Sequence, residues 1–153
     1  MRTFILPASF FRTASWAGGL GLALVTGCAA PGSPAAADEP PLAGPRWVLV
    51  ALGSEPAAPG AGGRPADLRF DAANQRAAGF AGCNRYSASY QVEGRTLSLG
   101  PAVATKMACA QGGDTERRLL DVLPQVRGWQ VQGRELRLHD GQGMVLARFR
   151  ASE

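Results

Sequence analysis

The sequence predicts an antiparallel α+β domain, or a partly closed β-barrel, with one α-helix. Three observations predict it. Short segments with period-two hydrophobic alternation recur from Trp47 onward, separated by Gly, Asn and Asp turn signals. One stretch only, between Asp114 and Leu123, switches to a helical period. Several strands are joined by hairpin-length connections, which favours antiparallel pairing.

The first part of the 153-residue chain is read as a targeting segment rather than as fold. Arg2 and Arg12 are its only charges, and an apolar run from Ala14 to Val25 follows. About a dozen residues is too short for a permanent membrane helix and suits a signal-peptide core. The run ends in Val25-Thr26-Gly27-Cys28, which resembles the lipobox of bacterial lipoproteins. Residues 1–27 are thus expected to be a lipoprotein signal peptide, with Cys28 lipidated and left as the mature N-terminus. The competing readings are an ordinary signal peptide with an incidental cysteine, or a short buried helix. Several acyl chains would give a stable anchor where one gives marginal binding. Ala29 stands where aspartate would favour the inner membrane, so the expected location is the outer membrane, facing the periplasm. Residues 28–44, rich in Ala, Pro, Gly and Ser, read as a disordered tether. Residues 45–151 then form one domain.

Beyond residue 27 there remain fourteen Lys and Arg and twelve Asp and Glu, a net charge of +2. That is too weak and too dispersed for a nucleic-acid footprint, so no nucleic-acid partner is expected.

Trp47 to Leu52 is an apolar run of strand length, and Ser54 to Pro65 reads as a long loop. Asp67 to Asp71 alternates with Leu68 and Phe70 on one face, while Asp67 and Asp71 read as solvated turn residues. Arg76 to Gly82 is a short strand with glycines that signal a bend. In Tyr86 to Val92 the residues Tyr86, Ala88, Tyr90 and Val92 share a face. A turn at Glu93-Gly94 leads to Thr96–Leu99, and Val103 to Cys109 is a further strand candidate. Asp114 or Thr115 can cap the helix, whose apolar stripe is Leu119, Leu120, Val122 and Leu123, with Pro124 ending it. Gly128–Gln132, Glu135–His139 and Met144–Arg150 then read as a three-strand meander, with Asp140-Gly141 as a hairpin signal.

Lipidation would take one of three cysteines and leave Cys83 and Cys109, an even pair in an oxidising compartment. A disulfide is the favoured reading. It would close a 27-residue loop, for which the chain-entropy model gives roughly 3–4 kcal/mol. Two buried thiols remain the alternative. A metal site fails on ligand count, because His139 is the only histidine.

Gly82-Cys83-Asn84-Arg85-Tyr86 with Tyr90, followed by Thr105-Lys106-Met107-Ala108-Cys109, resembles the two signature segments of the META domain family, which includes the HslJ-type heat-shock lipoproteins. Trp47-x-Leu49, Leu68-x-Phe70, Gly94 to Gly100, Glu116-x-x-Leu119-Leu120 and Gly133-x-x-Leu136-x-Leu138 with Gly143 fall in family order. Ala110 departs from the proline that many members carry after the second cysteine. The resemblance implies a curved antiparallel sheet wrapping one α-helix, and no known catalytic activity. It also implies links to heat shock, antibiotic resistance and virulence, and a fold resembling that of secretin pilot lipoproteins.

No nucleophile elbow, phosphate loop or metal cluster is present, and no cofactor or metal is expected. His139 alternates with Leu136 and Leu138 and reads as solvent-facing. Asn84, Arg85 and Tyr86 read first as structure: a turn amide, an exposed guanidinium and a packed ring. Together with Lys106 they are the candidate interaction residues. Trp129 shares a face with Val131 and reads as core.

The expected function is that of a non-enzymatic, monomeric envelope lipoprotein held at the membrane through Cys28. It would act in stress tolerance or envelope maintenance through protein or lipid contacts. The alternative is a pilot or carrier that binds an apolar segment or lipid within its sheet. An inhibitor or enzyme would need an exposed rigid loop or a cleft of perturbed acids, and the sequence offers neither.

Overall fold

The structure, a computed structural model, describes residues 41–152. The expected signal peptide, Cys28 and most of the tether lie outside the described residues. In chain order the elements are β1 (Arg46–Leu52), β2 (Glu55–Pro56), β3 (Asp67–Asp71), β4 (Arg76–Phe80), β5 (Arg85–Glu93), β6 (Thr96–Leu99), β7 (Val103–Ala104), α1 (Gly113–Val122), β8 (Gly128–Gln132), β9 (Glu135–His139) and β10 (Val145–Ser152). Neighbouring strands pair antiparallel throughout. All but the two-residue β2 and β7 follow one another around a ring, in the order β1-β3-β4-β5-β6-β8-β9-β10, and β10 pairs back onto β1. The curved antiparallel sheet predicted from the sequence is formed, and its curvature carries it to closure.

Strand alternation fills the inside of this ring. Trp47, Leu49, Leu68, Phe70, Tyr86, Tyr90, Leu97, Leu136, Leu138 and Phe149 belong to one core cluster. Each large apolar side chain so buried contributes roughly 1.5–3 kcal/mol. A register shift between Leu49 and Ala51 against β10 breaks the alternation, so Ala51 and Leu52 are both buried. Gly79 faces inward opposite Tyr86. A Cβ there would lie 2.0 Å from the Asp67 carbonyl oxygen. Its absence lets the Tyr86 hydroxyl donate to that carbonyl at 3.2 Å.

The helix crosses one rim of the ring. Its first turn meets the β4–β5 turn through Glu116 and Asn84. Arg118 donates to the Leu52 carbonyl where β1 ends, and Arg127 N–H donates to the His139 carbonyl where β9 ends. Leu119, Leu123 and Val126 are fully buried in the same core.

Several local expectations give way to tertiary contacts. The packed domain begins by Leu42 rather than at residue 45: Leu42 is buried, and the Trp47 indole donates to its carbonyl at 2.9 Å. Within the Ser54–Pro65 loop, β2 pairs with β1 and a one-turn 3-10 segment spans Ala61–Gly63. Val92 is exposed, because the β5–β6 hairpin runs past the core there. Only Val103 and Ala104 of the Val103–Cys109 candidate are strand. Neither Asp114 nor Thr115 caps the helix. Gly112 stands at the cap with φ +89°, and the Thr115 hydroxyl donates to the Ala58 carbonyl instead. His139 is half-buried against Gly128, not fully solvent-facing. Trp129 is only partly buried, with its indole N–H on the Gly94 carbonyl and the Arg95 guanidinium 5.3 Å from its ring.

Candidate functional site

The two signature segments meet at the rim that α1 crosses. Cys83 lies in the turn from β4 to β5, and Cys109 in the loop between β7 and α1. Their sulfurs are bonded at 2.03 Å, with Cα atoms 5.8 Å apart. The turn is tight because three glycines from separate segments touch. A Cβ on Gly60 would lie 2.2 Å from the Gly82 carbonyl oxygen, and one on Gly112 would lie 2.1 Å from the same atom. Close backbone approach of this kind requires glycine.

Asn84 is buried at the centre of this cluster. Its Oδ1 accepts from the Met107 N–H at 2.8 Å and from the Thr105 hydroxyl at 2.9 Å. Its Nδ2 donates towards the Met107 carbonyl (3.2 Å) and Glu116 Oε1 (3.0 Å), and its own N–H donates to Glu116 Oε2. One amide therefore fastens the β4–β5 turn to the cystine loop and to the helix. All its hydrogen-bonding capacity is used within the domain.

Tyr86 is buried inside the ring. Burial, and secondarily the charge of Asp67, push its phenol far above the ordinary range. Tyr90, edge-on to Phe70 with centroids 5.0 Å apart, is raised too, by burial first and then by Asp71. Arg85 and Lys106 are exposed, so of the four candidate interaction residues these two reach solvent and Asn84 and Tyr86 do not. Exposed beside them are Met107 and Val103, at 70% and 74% of their full accessibility.

A second polar cluster was not legible in the sequence. Asp67 is buried rather than solvated. Its Oδ2 accepts from Arg46 (2.6 Å) and Arg64 (3.2 Å), and its Oδ1 from the Phe80 N–H (3.2 Å). The Arg64 guanidinium also lies 4.3 Å from the centre of the Phe80 ring. The loop before β3 folds back over the sheet and covers the carboxylate, a long-range event that a strand-edge aspartate does not announce. Asp71, by contrast, is exposed, as expected. Its pKa is lowered, chiefly by the Asn74 side-chain amide.

Among the described residues no group of three or more His, Cys, Asp or Glu could hold a metal ion. The first signal that could have found Glu116 was its place in the Glu116-x-x-Leu119-Leu120 pattern. Nothing local marked it as the partner of Asn84.

No curated protein matches the chain significantly. A solution structure of a protein from Burkholderia xenovorans is 32% identical, with a TM-score of 0.59, covering 72% of this chain and 83% of that one. A second solution structure is 18% identical, with a TM-score of 0.53, over 69% of this chain and 87% of that one, and shows the shared fold alone. The META domain model matches residues 40–153, a span that takes in both signature segments, with the asparagine of the first, and the helix that receives it. The chain belongs to the META domain family.

Proposed function

We propose that the protein is a non-enzymatic envelope lipoprotein, anchored through Cys28, whose META domain acts in stress tolerance or envelope maintenance by contact with protein or lipid. The observation that carries the non-enzymatic reading is the use made of the signature residues. Asn84, Thr105 and Glu116 are bonded to one another and to backbone, leaving a rigid exposed rim rather than a reactive cleft. The lipobox-like Val25–Cys28 segment supports the anchor. No helix among the described residues is long and apolar enough to cross a membrane. A carrier with an apolar ligand inside the ring has the filled interior against it, since Trp47, Leu68, Leu97 and Phe149 already occupy that space.

Crosslinking in intact cells, followed by mass spectrometry, tests the contact reading. Adducts on the rim residues Arg85 and Lys106 are expected. Turnover of a small molecule by the purified chain, with no adducts, would overturn it. For the anchor, Cys28→Ala should abolish metabolic palmitate labelling and leave the precursor uncleaved; persistent labelling would count against lipidation at that residue.

A further inference from the structure

The cystine loop is tied to the body of the domain at alternate residues. β7 pairs with β5 alone, so no strand lies along its other side among the described residues. From Thr105 the chain continues without secondary structure, yet alternate residues are tied to the body. Thr105 N–H donates to the Arg85 carbonyl at 3.0 Å, and Met107 is gripped at both N–H and C=O by the Asn84 amide. Among the described residues no such bond reaches Lys106 or Ala108. The edge at these two residues is therefore open to pairing with another chain. Lys106 sits between the two tied residues with an exposed side chain, and Cys109 pins the segment from the far side.

We propose that residues 103–109 are an inhibitory loop for a serine protease of trypsin-like specificity, with Lys106 entering the acidic specificity pocket. The proposal deepens the protein-contact part of the reading above, and does not depend on the anchor. A loop tethered before binding loses little entropy on docking, and an acidic pocket selects a lysine side chain. Slow turnover follows from the same tethers. When the protease serine oxygen bonds to the Lys106 carbonyl carbon, the bond to the Met107 nitrogen breaks. That nitrogen takes the serine proton through the protease histidine. The new amine remains held on Asn84 Oδ1, and its segment remains held by the cystine. It stays at high effective concentration beside the acyl group, so the peptide bond reforms before water replaces the amine.

The test uses the full chain purified in mild detergent, with trypsin as probe and chymotrypsin as control. Stoichiometric, competitive loss of trypsin activity towards a small chromogenic substrate is expected, with an inhibition constant of about micromolar or tighter. Lys106→Ala should raise that constant at least about 30-fold, as for a binding hot spot. Lys106→Arg should preserve inhibition. Because Lys106 is exposed, both variants should unfold at the wild-type temperature. Cys109→Ser should convert the inhibitor into a substrate cleaved after Lys106. Three results would each overturn the proposal: no inhibition by intact chain in large excess, rapid cleavage of the wild-type loop, or inhibition unchanged by Lys106→Ala. A dimer that dissociates on substituting Val103 or Met107, with trypsin unaffected, would assign the edge to a second copy instead.

Discussion

The carboxylate of Glu116 accepts both the backbone N–H and the side-chain amide of Asn84, so one helical acid orients the residue that joins two loops. Exchanging that amide for a carboxylate should set two like charges face to face in a buried site. Asn84→Asp is expected to lower stability by about 3 kcal/mol. Glu116→Gln in the same chain should recover part of the loss. Urea unfolding followed by fluorescence measures both, and a neutral Asn84→Asp substitution would show that the cluster does not hold the loops.

Cys83 and Cys109 close a long loop, and each should matter as much as the other. Cys83→Ser and Cys109→Ser are each expected to cost about 3 kcal/mol, and reductant should bring the wild type to the same level. Two free thiols, found by alkylating unreduced protein under denaturing conditions, would contradict the bond.

Glycine contacts predict a sharp contrast among alanine substitutions. Gly60→Ala and Gly112→Ala place a Cβ within 2.2 Å of backbone, which rigid neighbours cannot relieve, and soluble folded protein should not be recovered. Gly94→Ala has φ +53° but nothing within 4 Å. It should fold, at a cost of about 1 kcal/mol. Soluble yield of the three variants, with thermal unfolding of any that is recovered, decides the matter.

The chain's two tyrosines, Tyr86 and Tyr90, are both buried with raised phenol pKa. Above the unfolded value near 10, the unfolded state releases protons that the folded state retains, so stability falls as pH rises through that region. The Tyr86 phenolate should stay absent until the domain unfolds and then appear together with the loss of the fold. Ionisation of both rings near pH 10, with the fold intact, would show Tyr86 to be solvent-accessible.

The strands were legible because their alternation is local: Leu68 and Phe70, or Leu136 and Leu138, declare a buried face by spacing alone. Ring closure was not, since nothing within β1 or β10 names the other as its neighbour. The site divided in the same way. The family resemblance located Asn84, Arg85, Tyr86 and Lys106 in sequence, but which of them face inward depends on how β5 and the cystine loop meet. Asp67 looked solvated because its burial comes from Arg64 and a loop that folds back. The strand predicted through Cys109 stopped at Ala104 because the Asn84 amide takes the N–H and the carbonyl of Met107, which a neighbouring strand would otherwise pair.

The pairing of Arg46 with Ser152 sets a schedule for folding. β1 lies about a hundred residues from the strand that completes its hydrogen bonding, and until the two meet one of its edges stays open. Hairpins such as β3–β4 and β8–β9 close locally and early, whereas the ring seals only when its last strand arrives, a high-contact-order step that slows folding. A chain whose last strand has not yet paired therefore leaves Trp47 without its full cover. Until that strand docks, the open edge of β1 is a surface on which the chain can misassociate.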